Sequence, residues 1–245
     1  MVLEVKWCGF DYGECIMNAD AVRNAILYGD IYKTLGKPEL ISEKIGRHRV
    51  LKEKYGSYPI LQEGHRDDIY SFVLGKDKTA IELLRLEEQE LLDTADDLEE
   101  ALVHLKREGI ETAVVTEMKY SRNPLGDDRI SRFLKKRNLD KYFKDVITPV
   151  GKVTIETNSV DGRYEGATKA QGTIYDVLAK DLKERGIGVH EAGMVGDRPG
   201  MDINPAHKRG FKTIQYTGFT NHGLSEADIV ISSFGELKTV LRKKN

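Results

Sequence analysis

The chain has little cysteine, no long apolar run and almost no net charge. Only two cysteines, Cys8 and Cys15, occur in 245 residues, too few for a secreted disulfide framework. Cys8, inside a short apolar run, reads as a small buried hydrophobe. No apolar stretch approaches the roughly 18 residues that a membrane helix needs. The N-terminus lacks a basic region followed by an apolar segment and a cleavage site, so a cytoplasmic protein with no membrane partner is expected. With 38 basic against 40 acidic residues, the formal charge is −2, and no global field gathers nucleic acid. There is no internal repeat and no low-complexity segment. What is present is 40% apolar residues, enough to bury the core of one large domain, or of one domain carrying an insertion.

Five short apolar segments read as buried strands of a parallel sheet: Val5 to Phe10, Glu111 to Thr116, Gly193 to Gly196, Lys212 to Tyr216 and Asp228 to Ser232. Helical patterns lie between them. Leu98, Ala101, Leu102 and Leu105 share a face, with Thr94 and Asp97 resembling a capping box and Gly109 a stop. Ile174, Val177, Leu178 and Leu182 repeat the pattern before Gly186. This alternation predicts an α/β fold with a Rossmann-like, doubly wound parallel sheet, whose ligands bind beyond the carboxyl ends of the strands.

Residues 17–92 read differently, as helices without a convincing strand. They are expected to form an α-helical cap inserted in a catalytic core made of 1–16 and 93–245, closing as a lid that excludes water. In "KVTIETNSVDGRYEGATK", alternating Val153 and Ile155 before an Asp161-Gly162 turn and Tyr164 predict a small β-hairpin flap. The tail "RKKN" reads as frayed.

Several polar residues fall where such a sheet places ligands. Asp11 ends the first strand in "GFDYGEC", where it could also cap a turn. Asp197 and Asp202 in "MVGDRPGMDIN" follow a short strand, a spacing that suits a hard divalent cation such as Mg²⁺, or a turn and a helix cap. Thr116 ends "AVVTE", where its hydroxyl could bind a phosphoryl oxygen or a backbone group. Lys169 precedes a helix in "EGATKAQG".

Taken in order, "FDYGEC", "VVTE", "ATKAQ" and "GDRPGMD" resemble the four motifs of the haloacid dehalogenase superfamily of hydrolases, over nearly the whole chain, with a helical cap where one cap class places it. The resemblance implies that Asp11 is the nucleophile toward phosphorus, forming an aspartyl intermediate that water hydrolyses. It implies a Mg²⁺ held by Asp11, the Gly13 carbonyl and Asp197, with Asp202 as a further ligand, and a transferring group held by Thr116 and Lys169. The expected function is Mg²⁺-dependent hydrolysis of a small, anionic, phosphorylated metabolite.

The chain departs from that pattern at Gly13, where phosphatases of the family carry a second Asp as general acid and base. Glu14 and Cys15 replace the usual Gly and Thr, and Glu14 is the candidate for the missing proton transfer. With one residue deleted, "FDYGE" resembles the D-x-Y-G-T loop of dehalogenases, aligning Tyr12 with their Tyr. A small residue at position 13 also resembles phosphonoacetaldehyde hydrolases, whose cap lysine would be one of Lys33, Lys37, Lys44, Lys52 and Lys54. A catalytically silent binder with the same fold is the third reading. Arg47, His48, Arg49, His65 and Arg66 cluster in the cap, and His65 and Arg66, beside a glycine, are the pair expected to meet an anionic substrate. His190, His207 and His222 read as structural or surface residues.

Overall fold

The computed structural model describes residues 1–18, 24–56, 61, 64–91, 93–118 and 129–244. Residues 19–23, which begin the first expected cap helix, lie outside them. The chain divides into two compact units, one of Met1–Met17 with Thr94–Asn245 and one of Asn18–Asp93.

The first unit is built on an eight-stranded sheet. Its strands are β2 (Trp7–Phe10), β3 (Glu111–Val115), β4 (Phe143–Thr148), β5 (Gly151–Thr154), β6 (Ser159–Asp161), β7 (Ala192–Gly196), β8 (Lys212–Tyr216) and β9 (Ile229–Ile231). Their spatial order is β9-β8-β7-β2-β3-β4-β5-β6. The pairings from β9 through β4 are parallel, and β5 and β6 add an antiparallel hairpin at one edge. The first of these strands is therefore central, and the chain winds outward on both sides of it. That reversal places the crevice of a doubly wound sheet at the carboxyl ends of β2, β3 and β7.

Both faces of the sheet are covered, which explains its nearly continuous apolar strands. Trp7, Val115, Tyr175, Leu178 and Leu182 join one core, the last three from α6 (Thr173–Glu184). Phe10 lies edge-on to Phe143 and stacks with Phe234, at 5.8 and 6.1 Å between centroids. Gly9 serves this packing, because a Cβ there would meet the Trp7 indole at 2.7 Å. Helix α4 (Leu98–Arg107) buries Leu98, Ala101, Leu102 and Leu105 as its spacing predicts. Its start differs from expectation: Asp97 adopts a left-handed φ of 60° and makes no cap bond, and its carboxylate accepts instead from Ser233 Oγ at 2.8 Å.

Three further details correct the sequence reading. The first strand breaks at Lys6, and β1 (Leu3–Val5) pairs in parallel with β10 (Leu241–Lys243), so Arg242 and Lys243 of the basic tail are strand and not frayed. Buried Leu3, Val5 and Leu241 explain it, with Lys6 and Lys244 both drawn to Glu191 at 3.2 and 3.3 Å. Strand β4 was hidden by the charges of "KYFKDVIT", although Phe143, Val146 and Ile147 are buried. The hairpin turns at residues 155–158, with Asn158 at φ 53°, whereas Asp161 caps a short 3₁₀ turn by accepting from Arg163 N at 3.0 Å.

The second unit is helical. Helix α1 (Asn24–Thr34) packs against α2 (Ile41–Tyr55) and α3 (Lys78–Leu91). His48 is buried there, with Nδ1 2.8 Å from the Tyr28 hydroxyl, and burial pushes its pKa down to about 4. It is thus a neutral core residue rather than a cation for substrate. Arg47 is committed to Glu43 and to the Phe72 carbonyl, each at 2.8 Å. No helix of the described residues is long and apolar enough to cross a membrane.

The hairpin is fastened to α6 by one buried carboxylate. Asp181 accepts from Lys152 Nζ at 2.8 Å, Tyr164 Oη at 2.9 Å and Arg163 Nη2 at 3.1 Å. Burial pushes the Asp181 pKa up, but the bonds from Lys152 and Tyr164 outweigh it and hold the group below the usual range. A lowered folded-state pKa contributes stability above the unfolded value of about 3.9, lost as pH falls through the folded value. Asp181→Ala is expected to cost about 3 kcal/mol in urea unfolding at neutral pH and to flatten the acid decline of stability. An unchanged acid limb would contradict this role.

Candidate active site

Strand register sets the geometry. Phe10 is level with Val114 on one neighbour and Val195 on the other, so Asp11 is carried just past the sheet edge, with Thr116 and Asp197 one step further on either side. The Asp11 amide continues the ladder to the Val195 carbonyl at 2.8 Å. Asp202 arrives from the turn after β7. A Cβ on Gly196 would meet Asp202 Cβ at 2.4 Å, so the glycine of "GDRPGMD" is what lets the second acid close on the strand end. The Arg198 amide donates to Asp202 Oδ2 at 3.0 Å and fixes its orientation.

The structure brings together Asp11, Asp197, Asp202 and Lys169. Carboxylate oxygens of the three aspartates lie within 4.8 Å of one another, and all three residues are buried. Lys169, 1% exposed, bridges two of them: Nζ donates to Asp11 Oδ1 and to Asp202 Oδ1, the latter at 2.5 Å. Glu117 Oε2 accepts from the Lys169 backbone amide at 2.6 Å and holds the loop that carries it.

Neither oxygen of Asp197 accepts a hydrogen bond among the described residues, although the side chain is 1% exposed. An orphaned buried carboxylate costs several kcal/mol unless a charge compensates it. Burial, Asp11 and Asp202 accordingly push the Asp197 pKa up to about 9, outweighing Arg198 and Lys169, which pull it down. Burial and Asp202 push Asp11 up to about 6, outweighing Lys169, which pulls it down. Burial opposes the charge of Lys169, but Asp11 and Asp202 prevail and hold it well above the ordinary lysine value. A hard divalent cation fits this donor set: carboxylates of three aspartates, one of them with no hydrogen bond among the described residues and only Arg198 at 3.9 Å and His222 at 3.0 Å beside it.

Thr116 is buried, and its Oγ1 accepts from Met118 N at 3.4 Å. Gly13 is bridged to Met17 across the tight loop. Glu14 sits in the left-handed region at φ 56°, buried, with Oε2 accepting from Thr220 Oγ1 at 3.3 Å. Tyr12 is buried edge-on against Phe133 at 5.3 Å. Burial and Asp11 push the Cys15 thiol well up, which makes it a poor nucleophile. His65 and Arg66 belong to the helical unit: His65 stacks on Tyr55 at 3.7 Å, with Nδ1 3.6 Å from Asp68, and Arg66 opens the turn Arg66–Asp68.

His222, read from the sequence as a structural or surface residue, lies with its Nε2 3.0 Å from Asp197 Oδ2. Burial and Arg198 lower its pKa against the pull of Asp202. The available signal was topological: the loop after β8, a strand adjacent to β7, must pass the carboxyl edge beside Asp197. Thr220 was missed for the same reason, and Glu117 because it follows Thr116 in a loop with no pattern of its own.

No protein-family model and no curated protein matches the chain. Solved structures do match. A HAD phosphatase from Thermococcus onnurineus is similar over 96% of this chain and 97% of its own, at 21% identity and a TM-score of 0.57. The HAD-type protein YfnB from Bacillus subtilis, bound to magnesium, aligns over 96% and 98% at 14% identity and a TM-score of 0.59. A dehalogenase solved with an intermediate complex aligns over 100% of both chains at 17% identity and a TM-score of 0.58.

A cation that binds only the folded site stabilises it by about 2.7 kcal/mol at 100 times its Kd. Mg²⁺ at that level is expected to raise the unfolding temperature of the natural protein, and Asp197→Asn to remove most of the shift. Equal shifts in both proteins would contradict the site.

Proposed function

The chain has the haloacid dehalogenase fold, and from that premise we propose that it is a Mg²⁺-dependent, phosphatase-like hydrolase of a small phosphorylated metabolite, working through an aspartyl-phosphate at Asp11. The observation that carries the reading is the buried trio of carboxylates around Lys169, with Asp197 lacking any hydrogen bond among the described residues. We assign Asp11, the Gly13 carbonyl, Asp197 and Asp202 to the cation, which when bound supplies positive charge to the phosphoryl oxygens and to the crowded carboxylates.

The chain's own residues then divide the work. Asp11 attacks phosphorus in line with the departing oxygen, the bond to that oxygen breaks, and the phosphoryl group passes to the Asp11 carboxylate. Lys169 stays protonated between Asp11 and Asp202 and offsets repulsion between the nucleophile and a phosphate dianion. The Thr116 hydroxyl is assigned to a phosphoryl oxygen. In the helical unit, His65 and Arg66 are assigned to the anionic substrate. Water hydrolyses the intermediate and regenerates Asp11.

Gly13 sets the rate. A positioned acid or base is worth about 10² to 10⁴, and position 13 supplies none. Glu14 is the assigned substitute, although its Oε2 accepts here from Thr220 Oγ1. Dehalogenation is disfavoured on two counts. A carbon-halogen displacement brings no divalent cation to three buried carboxylates that share the one ammonium of Lys169, and Tyr12, on which that likeness rests, lies buried against Phe133.

Position 13 has room for the missing acid. Its φ is not in the left-handed region, and an added Cβ meets nothing within 4 Å. Gly13→Asp is therefore expected to raise Mg²⁺-dependent phosphate release from a panel of phosphate esters by about 10² to 10⁴, and Asp11→Asn to abolish it. Release that persists in Asp11→Asn would overturn the proposal.

A further inference from the structure

We infer that Gln215 is a positioning residue of the cation site: its buried side-chain amide holds the main chain of Asp197 and, with it, the loop after β8 that lies against Asp197 and Glu14. The inference rests on the cation site proposed above and names what keeps that site in shape.

Asp197 poses a mechanical problem. Its carboxylate is buried beside Asp11 and Asp202, whose charges oppose its own, and neither of its oxygens takes a hydrogen bond among the described residues. Arg198 and His222 only stand beside it, at 3.9 and 3.0 Å. Buried polar groups are ordinarily held by hydrogen bonds. Where the side chain has none, the restraint falls to the main chain.

The last paired rung between β7 and β8 is Gly196 with Gln215. One residue further, the Gln215 side chain takes over. Its Nε2 donates to the Asp197 carbonyl at 3.5 Å and to the Gly223 carbonyl at 3.0 Å, and its Oε1 accepts from Ser225 Oγ at 2.6 Å. The two carbonyls can only accept, so the nitrogen of the amide must face them. The Ser225 hydroxyl in turn accepts from the Ala227 amide at 3.2 Å. Both ends of the Gln215 amide are thereby used, at 1% exposure, and a satisfied buried network of this kind is rigid.

From this amide hangs the loop of residues 217–227. The Glu226 amide donates to Asn204 Oδ1 at 2.9 Å, two residues past Asp202, so the far end of the loop is tied to the same turn that carries the two acids. In between, Thr220 Oγ1 donates to Glu14 Oε2 at 3.3 Å, and His222 reaches Asp197. Partners that orient a metal ligand set its affinity for the ion. Linkage makes the effect reciprocal: whatever factor the bond to Asp197 adds to ion affinity, the ion returns to the bond.

The test is calorimetric titration of Mg²⁺ into the natural protein, Gln215→Met and Asp181→Ala, beside nuclear magnetic resonance of the Gln215 side-chain amide protons in the natural protein. Met fills the space of Gln and donates nothing. Mg²⁺ affinity is expected to fall about 10- to 100-fold in Gln215→Met. Asp181→Ala, which unfastens the hairpin instead, is expected to bind Mg²⁺ within about 3-fold of the natural protein. In the natural protein, saturating Mg²⁺ is expected to slow solvent exchange of the Gln215 amide protons by about 10-fold or more, since exchange requires the local opening that the ion opposes. A buried amide that only fills the core would not respond to the ion. Unchanged Mg²⁺ affinity in Gln215→Met, or an equal loss in Asp181→Ala, overturns the assignment of Gln215. Exchange that Mg²⁺ does not slow overturns it even if the variant misfolds. A natural protein that binds no Mg²⁺ overturns the cation site itself, and this inference with it.

Discussion

Everything at the carboxyl edge of the sheet depends on how one ammonium, Lys169 Nζ, shares itself between Asp11 and Asp202. Three buried carboxylates and one ammonium, all ionised, are short of two positive charges. Protein interiors do not leave such a deficit uncompensated. The crowding raises the pKa of its acids, Asp197 to about 9 and Asp11 to about 6. In the proposed reading, a divalent cation would answer the deficit in full and leave Asp11 ionised for the attack assigned to it. The same electrostatic demand accounts for Gly196, whose missing side chain admits Asp202, and for Glu117, which fixes the loop of Lys169.

The parts of this arrangement legible in the sequence are those set by local pattern. Apolar runs marked β3, β7 and β8, the period of α4 and α6 marked their buried faces, and the acids at strand ends were visible because a parallel sheet leaves ligands nowhere else. What stayed hidden depended on distant partners. Strand β4 is flanked by charges, and its apolar residues are explained only by pairing with β3 and β5. The tail became strand because Leu3–Val5 offered it an edge. Asp97 gave up its expected cap to accept from Ser233, more than a hundred residues away. His222 reads as an ordinary loop histidine until β8 is seen to lie beside β7.

Gly13 separates the two halves of the proposed reaction. Transfer of a phosphoryl group from a good leaving group needs no proton, since the departing oxygen is already a weak base. Hydrolysis of the acyl phosphate does need a base to activate water, and position 13 cannot supply one. With Glu14, the assigned substitute, accepting from Thr220, the intermediate is expected to accumulate with an activated substrate such as p-nitrophenyl phosphate.

That accumulation offers the most direct test of the account: mixing the Mg²⁺-loaded protein with p-nitrophenyl phosphate, quenching in acid, reducing with borohydride and mapping the peptides by mass spectrometry. The account predicts Mg²⁺-dependent conversion of Asp11 to homoserine, the product of reducing an aspartyl-phosphate. Release of p-nitrophenol with Asp11 left unchanged would contradict it.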